Sequence, residues 1–290
     1  MQKKLDKIAT DTNKFLKSFI KKQKKSELIT PMQYGLFSGG KKIRSKILID
    51  VGSLFELNYK SLIIIGAAVE CIHAYSLIHD DLPCMDNDNI RRGKLATHKK
   101  FGEATAVLAG NSLLTLAFEL ITDKNYQIKT TQKNELIKSL AECSGHTGIA
   151  GGQQLDLKFE NKRKNINQII DMQKKKTGKL FNFCLTAVGI VSDRDRKDKF
   201  FLGNLGEDIG LLFQLADDFL DVKGSKEVVG KSLKKDKKKG KSTLINLMGY
   251  SKTFLFANSL KRKILLKLKK HGTNANDLIE TIEFILGRNF

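Results

Sequence analysis

Proline, which breaks helices, and cysteine, which builds disulfide and zinc scaffolds, are scarce in this chain. Only two of its 290 residues are proline, and tryptophan is absent. The four cysteines are scattered without a CxxC spacing, at Cys71, Cys84, Cys143 and Cys184. This pattern excludes a zinc knuckle and a disulfide framework, and it predicts reduced thiols packed mostly in helices. No run of alternating apolar and polar residues is flanked by turn signals, so the chain is predicted to be nearly all helix.

Long apolar runs are also missing. No apolar segment follows the basic start MQKKLDK, and the longest apolar run, residues 62–69, is ended by Glu70. A membrane span needs roughly 18 such residues, so we expect a cytoplasmic protein without stable membrane insertion. Hydrophobic residues still make up 41% of the chain. Because neither a repeat nor a linker divides the sequence, we expect a single domain over residues 1–290.

Arginine is rare although the chain is strongly basic. The formal net charge is +21, with 44 lysines and eight arginines. The lysines are spread over every segment and are not interleaved with aromatic residues, so a compositional preference for lysine explains them better than a nucleic-acid-binding face. A basic helical protein that binds nucleic acid is kept as a remote alternative. Three of the arginines, Arg44, Arg91 and Arg92, lie beside the motifs described next, where a planar fork suits phosphate.

Acidic residues are fewer than basic ones, but they cluster. Residues 77–93, LIHDDLPCMDNDNIRRG, place four aspartates beside two arginines: Asp80, Asp81, Asp86, Asp88, Arg91 and Arg92. Most mixed-charge runs are solvated loops. A second cluster in QLADDFLD makes that interpretation less favourable here, with Asp217, Asp218 and Asp221. Mg²⁺ binds carboxylate oxygens and shares phosphate oxygens with them, so the two clusters predict a metal and diphosphate site.

Spacing predicts which side chains share a face around the first cluster. Residues 61–81 form an apolar helical pattern, on which His73 precedes Asp80 by two turns and faces the same way. A satisfied core histidine is an equally good interpretation of His73. Pro83 is predicted to break the helix and to return Asp86 to the same metal.

The second cluster lies on another predicted amphipathic helix. Asp217 and Asp221 are four residues apart and share a face with Gln214. Earlier in the chain, a helix over residues 134–149 is predicted to end at the glycine pair 151–152. The following MQKKKTGKLFNF carries Lys176 and Thr177, and its Thr-Gly predicts a turn or a distortion within a helix.

Two lysine-rich segments have glycine nearby. In SGGKKIR, glycines allow backbone N–H groups to approach an anion, and Lys41 and Arg44 would share a face if a helix begins there. An ordinary glycine turn before a basic helix is the alternative. The second segment has seven lysines from Lys231 to Lys241 and is predicted to be a flexible loop. Its GKST ending is not a Walker A motif, because Lys235 stands where that motif needs glycine.

Six motifs in order give the chain a resemblance to a known family. GGKKIR, HAYSLIHDDLPCMDNDNIRRG, GGQQLD, KTG, FQLADDFLD and GKST extend over residues 33–248. The sequence resembles the short-chain trans-prenyltransferases, and among them the bacterial farnesyl diphosphate synthases. The resemblance implies an all-α isoprenoid synthase fold, a helical bundle around a deep apolar cavity, and a homodimer.

The resemblance also implies a role for each matching position. Mg²⁺ on the allylic diphosphate would be held by Asp80, Asp86 and Asp217, supported by Asp81, Asp156 and Asp221. Contacts to the allylic substrate would come from Arg91, Lys176, Thr177, Gln214 and Lys231, with Lys241 matching another family lysine. Among these, Arg91, Lys176 and Thr177 would be catalytic. The diphosphate of isopentenyl diphosphate would be bound by Lys41, Arg44, His73 and Arg92.

The implied reaction is the Mg²⁺-dependent condensation of isopentenyl diphosphate with dimethylallyl and then geranyl diphosphate. Tyr75 lies about 7.5 Å before Asp80 along the helix, where an aromatic residue in this family commonly stops growth at fifteen carbons. The expected product is therefore (2E,6E)-farnesyl diphosphate. A geranylgeranyl diphosphate synthase is the alternative within the family. A terpene cyclase would not use isopentenyl diphosphate, and the intact Lys41, Arg44 and His73 argue against one.

Four positions depart from the pattern common in the family. Lys42 and Ser45 stand where Arg and Pro are common, and Asn89 and Asn111 where Asp is common. None of the four has a direct role in the assignment above. They are expected to lower activity at most.

Overall fold

The computed structural model describes residues 1–227 and 243–287. Lys231 and Lys241, together with the predicted lysine-rich loop, lie outside the described residues. Contacts between Cα atoms divide the chain into two compact units. The first is Met1–Lys138 with Ile190–Asp193, and the second is Ser139–Gly189 with Arg194–Phe290.

The described residues are almost entirely helical, as predicted. The first helices are α1 (Gln2–Lys21), α2 (Ile29–Leu36), α3 (Ile43–Leu54), α4 (Tyr59–Asp80), α5 (Thr97–Phe101) and α6 (Glu103–Thr122). They are followed by α7 (Thr130–Ser144), α8 (Ile149–Phe159), α9 (Ile166–Gln173), a π-helical turn (Lys174–Gly178), α10 (Lys179–Val191) and α11 (Arg196–Glu227). The last are α12 (Leu244–Met248), α13 (Tyr250–Leu268), a 3₁₀ segment (Lys269–Ala275) and α14 (Asn276–Gly287). Within the described part of the chain, the only sheet is an antiparallel hairpin of β1 (Ile90–Arg91) and β2 (Lys94–Leu95).

The first unit is organised around α4. This helix begins after Asn58, whose side chain accepts hydrogen bonds from the N–H groups of Lys60 at 3.0 Å and Ser61 at 3.2 Å. It packs against α1, α2, α3 and α6. Because neighbours surround it, most of its circumference is buried and its sequence is apolar on every side. The predicted helix over residues 61–81 is therefore confirmed.

Two helices, α4 and α6, are long and apolar enough to cross a membrane by length and composition alone. Within the most apolar stretch of α4, 72% of the residues are buried in the protein, and in α6 the share is 44%. A helix buried in a protein core has the same apolar composition as a membrane span. Burial in the core therefore explains the apolar composition of α4.

Lysines at the start of α3 are buried and paired with acidic side chains. The ammonium of Lys42 lies 3.4 Å from a carboxylate oxygen of Glu70, and Ser45 Oγ donates to the same carboxylate at 3.0 Å. One turn later, Lys46 forms an ion pair with Asp50. Lys42 and Ser45 are two of the departures from the family pattern, and both contact Glu70.

The second unit is organised around α11, which packs against the π-helical turn, α13 and α14. Glycines allow the backbones to meet at this turn. A Cβ at Gly152 would lie 2.1 Å from the backbone nitrogen of Lys176, and one at Gly210 would lie 2.5 Å from Cα of Gly178. The expectation that residues 151–152 end a helix is wrong, because both lie inside α8, where a small residue is needed for close packing.

The thiols are placed as predicted. Cys71, Cys143 and Cys184 are buried in helices, and Cys84 is exposed in the turn after α4. All four are free thiols.

Candidate active site

The first acidic cluster lies in the turns that follow α4. Asp80 is the last residue of the helix, and the chain turns back after Pro83, so that the Asp86 N–H donates to the Asp80 carbonyl at 2.8 Å. The Asp88 N–H donates to the Asp81 carbonyl at 3.2 Å. The predicted return of Asp86 toward Asp80 is confirmed at the level of the backbone.

Arg91, on β1, is held by acidic side chains of this cluster. Its Nε donates to both carboxylate oxygens of Asp81, at 3.0 and 3.3 Å, and Nη2 lies 3.7 Å from Asp88. Burial raises the pKa of Asp81, and the hydrogen bond and charge of Arg91 act in the opposite direction. The guanidinium is therefore fixed beside the aspartates by Asp81, which is itself buried.

A separate basic group lies between the start of α3 and the middle of α4. Arg44 Nη1 lies 3.3 Å from His73 Nε2. Arg92 donates a hydrogen bond to the carbonyl of Gly39. A Cβ at Gly40 would lie 2.7 Å from the guanidinium carbon of Arg92, so the glycine pair makes room for this side chain. Both glycines have positive φ angles, 103° and 105°.

One expectation about this basic group needs correction. Helix α3 begins at Ile43, so Lys41 precedes the helix and is exposed, and it does not share a helical face with Arg44. His73 contacts Arg44, and its electrostatic surroundings are cationic. This contact places His73 in the basic group.

The state of His73 leads to a prediction about pH. Burial, followed by the charges of Arg44 and Arg92, lowers the pKa of His73 well below 6.5. In the folded protein the ring is neutral, whereas in the unfolded chain it takes up a proton below pH 6.5. Folding stability from this residue is therefore complete above pH 6.5 and is lost as the pH falls from 6.5 toward the folded pKa.

We expect His73→Gln to reduce this loss by up to about 1.4 kcal/mol per pH unit below pH 6.5. Urea denaturation of the ligand-free protein at pH 7.5, 6.5 and 5.5 measures the effect. His146→Gln, at an exposed histidine, is the control and should follow the wild type. Equal pH dependence of the wild type and His73→Gln would contradict the prediction.

Tyr75 lies one turn before His79 on α4. The two rings meet edge to face with centroids 5.5 Å apart, and His79 Nε2 lies 3.0 Å from the carbonyl oxygen of Val107 on α6. A Cβ at Gly110 would lie 2.2 Å from His79 Nε2, so α6 comes very close at this point. Tyr75 therefore packs against a histidine that is itself fixed between two helices.

In the second unit, acidic and polar side chains line a cavity of about 170 Å³. Its lining includes Asp156, Gln173, Lys176, Thr177, Gln214, Asp218 and Asp221. Asp217 precedes Asp218 on α11 and is partly buried, but it is not among the residues that line this cavity.

Direct contacts connect these side chains. Lys176 Nζ donates to Asp156 at 2.6 Å, and Thr177 Oγ1 donates to Gln214 Oε1 at 2.9 Å. Both donors lie in the π-helical turn, which confirms the distortion predicted from KTG. π-Helical turns of this kind are frequent at functional sites.

Asp218 is buried and accepts a hydrogen bond on each oxygen. Gln214 Nε2 donates to Oδ1 at 2.9 Å, and Gln173 Nε2 donates to Oδ2 at 3.1 Å. Burial, opposed by these hydrogen bonds, raises the pKa of Asp218 to about 7. The sequence placed Asp218 in the cluster without a role, and it gave no signal for Gln173.

Sequence reasoning also missed two buried polar residues. Glu70 is the shared partner of Lys42 and Ser45. Gln153 on α8 is buried, and neither polar atom of its amide has a hydrogen-bond partner in the described part of the chain. An apolar helical pattern interrupted by a single polar residue was the only available signal for Glu70.

Carboxylate oxygens are the ligands that a hard divalent cation prefers. Within the first unit, Asp80 and Asp86 supply them in the turn after α4. Within the second unit, Asp156, Asp218 and Asp221 line the cavity. Over residues 1–227 and 243–287, no group of three or more His, Cys, Asp or Glu side chains is arranged to hold a metal ion. A hard divalent cation held here by one or two protein carboxylates would complete its shell with water and phosphate oxygens.

A sequence model of the polyprenyl synthetase family matches residues 25–284 of this protein. The chain belongs to this family. It is 42% identical over 218 residues to the farnesyl diphosphate synthase of Bacillus subtilis, covering 75% of this chain and 74% of that one. The prediction of a prenyltransferase is thereby confirmed.

Solved structures of the family have the same fold. An FPP/GFPP synthase from Zymomonas mobilis is 33% identical, with a TM-score of 0.87 over 98% of each chain. A geranyltransferase from Helicobacter pylori, complexed with magnesium and isoprenyl diphosphate, is 32% identical, with a TM-score of 0.81 over 99% of this chain and 97% of that one. The predicted all-α isoprenoid synthase fold is confirmed.

Proposed function

We propose that the protein condenses isopentenyl diphosphate with dimethylallyl diphosphate and then geranyl diphosphate, forming (2E,6E)-farnesyl diphosphate. The observation that carries this proposal is the turn after α4, where the Asp86 backbone hydrogen-bonds to Asp80 and Arg91 lies against Asp81. Carboxylates and a guanidinium held this close together match a metal-bound diphosphate. The farnesyl diphosphate synthases among the relatives favour this product over geranylgeranyl diphosphate.

The residues divide by the substrate they are proposed to bind. Mg²⁺ is assigned to Asp80, Asp86 and Asp217, with Asp81, Asp156 and Asp221 in support. Arg91, Lys176, Thr177, Gln214 and Lys231 are assigned to the allylic diphosphate, and Lys41, Arg44, His73 and Arg92 to isopentenyl diphosphate. The name of the Helicobacter pylori structure, which includes magnesium and isoprenyl diphosphate, supports the choice of metal and substrate class.

In the proposed reaction, the allylic C–O bond breaks and the allylic carbon bonds to the terminal alkene carbon of isopentenyl diphosphate. Arg91 and Lys176 stabilise the negative charge that develops on the departing diphosphate. Thr177 and Gln214 orient that group. The proton lost from isopentenyl diphosphate passes to the released diphosphate. Bound Mg²⁺ would supply Lewis-acid stabilisation of the same leaving group.

Tyr75 is proposed to set the length of the product. Because it packs against the fixed His79, its ring resists displacement by a growing chain. We expect Tyr75→Ala to shift the main product from fifteen to twenty or more carbons, measured by sizing the dephosphorylated alcohols. Tyr75→Phe keeps the ring and should still give mainly fifteen carbons. An unchanged product from Tyr75→Ala would show that another residue forms the floor.

The deciding assay incubates the purified protein with Mg²⁺, radiolabelled isopentenyl diphosphate and dimethylallyl diphosphate. A fifteen-carbon alcohol after dephosphorylation supports the proposal, and a twenty-carbon alcohol supports the geranylgeranyl alternative. No product from well-folded protein would overturn the proposal. Salt-sensitive binding of DNA or RNA would then favour the nucleic-acid alternative.

We further propose that the protein acts in the cytoplasm as a homodimer in which residues 1–290 form one domain. Exposed apolar side chains on α6, at Val107 and Leu108, support an interface between copies. The match of one family model to residues 25–284, which includes parts of both compact units, supports the single domain.

A further inference from the structure

Gln173 is the last residue of α9 and lies outside every sequence motif, but it is part of the site in the second unit. It lines the cavity next to Lys176 and Thr177, yet only 4% of its surface is exposed. Its amide nitrogen donates to Asp218 Oδ2 at 3.1 Å. Buried amides are common in protein cores, so the question is whether this one also acts on the site.

The hydrogen bonds around Asp218 have a fixed direction. In its ionised form Asp218 accepts only, and both glutamines present their amide nitrogens to it. Gln214 therefore points its nitrogen at Oδ1 and its oxygen away, and that oxygen accepts from the Thr177 hydroxyl at 2.9 Å. The orientation of Asp218 thus determines which end of the Gln214 amide faces Thr177.

Gln173 is one of the two donors that hold Asp218 in this orientation. If Gln173 were replaced by an apolar residue, Oδ2 would lose its hydrogen bond in a site where only 7% of the Asp218 surface is exposed. A buried carboxylate oxygen without a donor is unfavourable, so the carboxylate would rotate or draw in water. Either response would loosen the bond to Gln214 and, through it, Thr177.

The oxygen of the Gln173 amide supplies a second observation. It is buried, and among the described residues it has no hydrogen-bond partner. An ionised diphosphate oxygen cannot donate to it, whereas a water molecule that solvates a bound diphosphate or its cation can. The free acceptor therefore suits a cavity that is filled by a hydrated anionic ligand.

We propose that Gln173 is a positioning residue that fixes Asp218 and, through it, orients Gln214 and Thr177 toward the allylic diphosphate. This inference rests on the proposed function, because it names a further determinant of the same site. Gln173 does not itself touch the reacting atoms.

The test compares Gln173→Leu with Gln132→Leu. Gln132 is also a buried glutamine, and it donates to the carbonyl of Val191 at 3.1 Å and to Asp193 at 2.9 Å in the first unit. For Gln173→Leu we expect kcat to fall about tenfold and the KM for the allylic diphosphate to rise severalfold, because orientation of reacting groups is lost. The KM for isopentenyl diphosphate should stay within about twofold of the wild type, since its proposed contacts lie elsewhere. Gln132→Leu should lower the melting temperature and leave kcat and both KM values unchanged.

Two further variants keep the test decisive. Gln173→His places an imidazole N–H at a similar reach and should restore most of kcat. In a Thr177→Val background, Gln173→Leu should change kcat by about twofold or less, because the two residues act through one hydrogen-bonded chain. If Gln173→Leu does not fold, Gln173→Met provides the same comparison. Unchanged kcat and KM in a folded variant would overturn the inference and leave Gln173 as a core amide.

A binding measurement separates this inference from the proposed function. Mg²⁺ with inorganic diphosphate should raise the melting temperature of the wild type more than that of Gln173→Leu. If the wild type forms no prenyl product but shows this difference, the reaction is wrong and the positioning role stands. If the wild type is active and the two melting shifts are equal, the positioning role is wrong and the reaction stands.

Discussion

Asp80→Asn is expected to reduce kcat/KM by at least about 10³-fold, because it removes a carboxylate charge from the proposed metal and diphosphate site. Asparagine keeps the shape of the side chain, and Asp80 is the last residue of α4, so the fold should be retained. Steady-state kinetics at saturating Mg²⁺, with circular dichroism to verify the fold, measure the effect.

Asp88→Asn is the matched comparison in the same turn. Asp88 lies 3.7 Å from Arg91 at a partly exposed ion pair and has no assigned metal role, so we expect a loss of about tenfold or less. Removal of metal with a chelator should abolish wild-type activity, and added Mg²⁺ should restore it. If Asp80→Asn kept more than a tenth of the wild-type activity, Asp80 would not be a metal ligand.

Lys46→Met is expected to lower the free energy of unfolding by about 3–5 kcal/mol, the largest stability effect that we predict. Lys46 and Asp50 are 1% and 4% exposed, and they pair one turn apart on α3. Without the ammonium, the buried Asp50 carboxylate loses an opposite charge that lies one turn away. Guanidinium chloride denaturation of the ligand-free protein measures the change.

The double variant Lys46→Met/Asp50→Leu distinguishes the cost of an unbalanced buried charge from the cost of altered packing. Replacing both charges by apolar groups of similar volume is often neutral or stabilising, so most of the lost stability should return. Lys129→Met, at an ion pair whose partners are 68% and 57% exposed, should cost less than about 1 kcal/mol. A loss below about 1 kcal/mol for Lys46→Met would show that Asp50 is solvated or protonated.

The long elements and the first acidic turn could be predicted from the sequence because each has a local cause. The apolar helical pattern defined α4, and Pro83 marked the turn that brings the Asp86 backbone to Asp80. The i, i+4 spacing placed Asp217 and Asp221 on one helix. The Thr-Gly of KTG indicated the distortion at Thr177.

The features that were missed depend on contacts between distant parts of the chain. Glycine commonly ends helices, so the sequence predicted a helix end at Gly152. Its place inside α8 is explained only by the close approach of the Lys176 backbone. Lys46 was assigned to a general excess of lysine because its buried partner has no sequence signal. Gln173 lies outside every motif, and its importance follows only from its bond to Asp218.

The π-helical turn at Lys174–Gly178 also limits how the length of the chain can vary. A π turn holds one residue more than an α-helical turn. Deleting Lys174 or Lys175 would turn this segment into an ordinary helix and rotate Lys176 and Thr177 relative to Gln173. Substitutions in this segment change one side chain each, but a deletion would separate Lys176 from Asp156 and Thr177 from Gln214 in one step. Substitutions of Lys174 or Lys175 should therefore be tolerated far better than deletion of either residue.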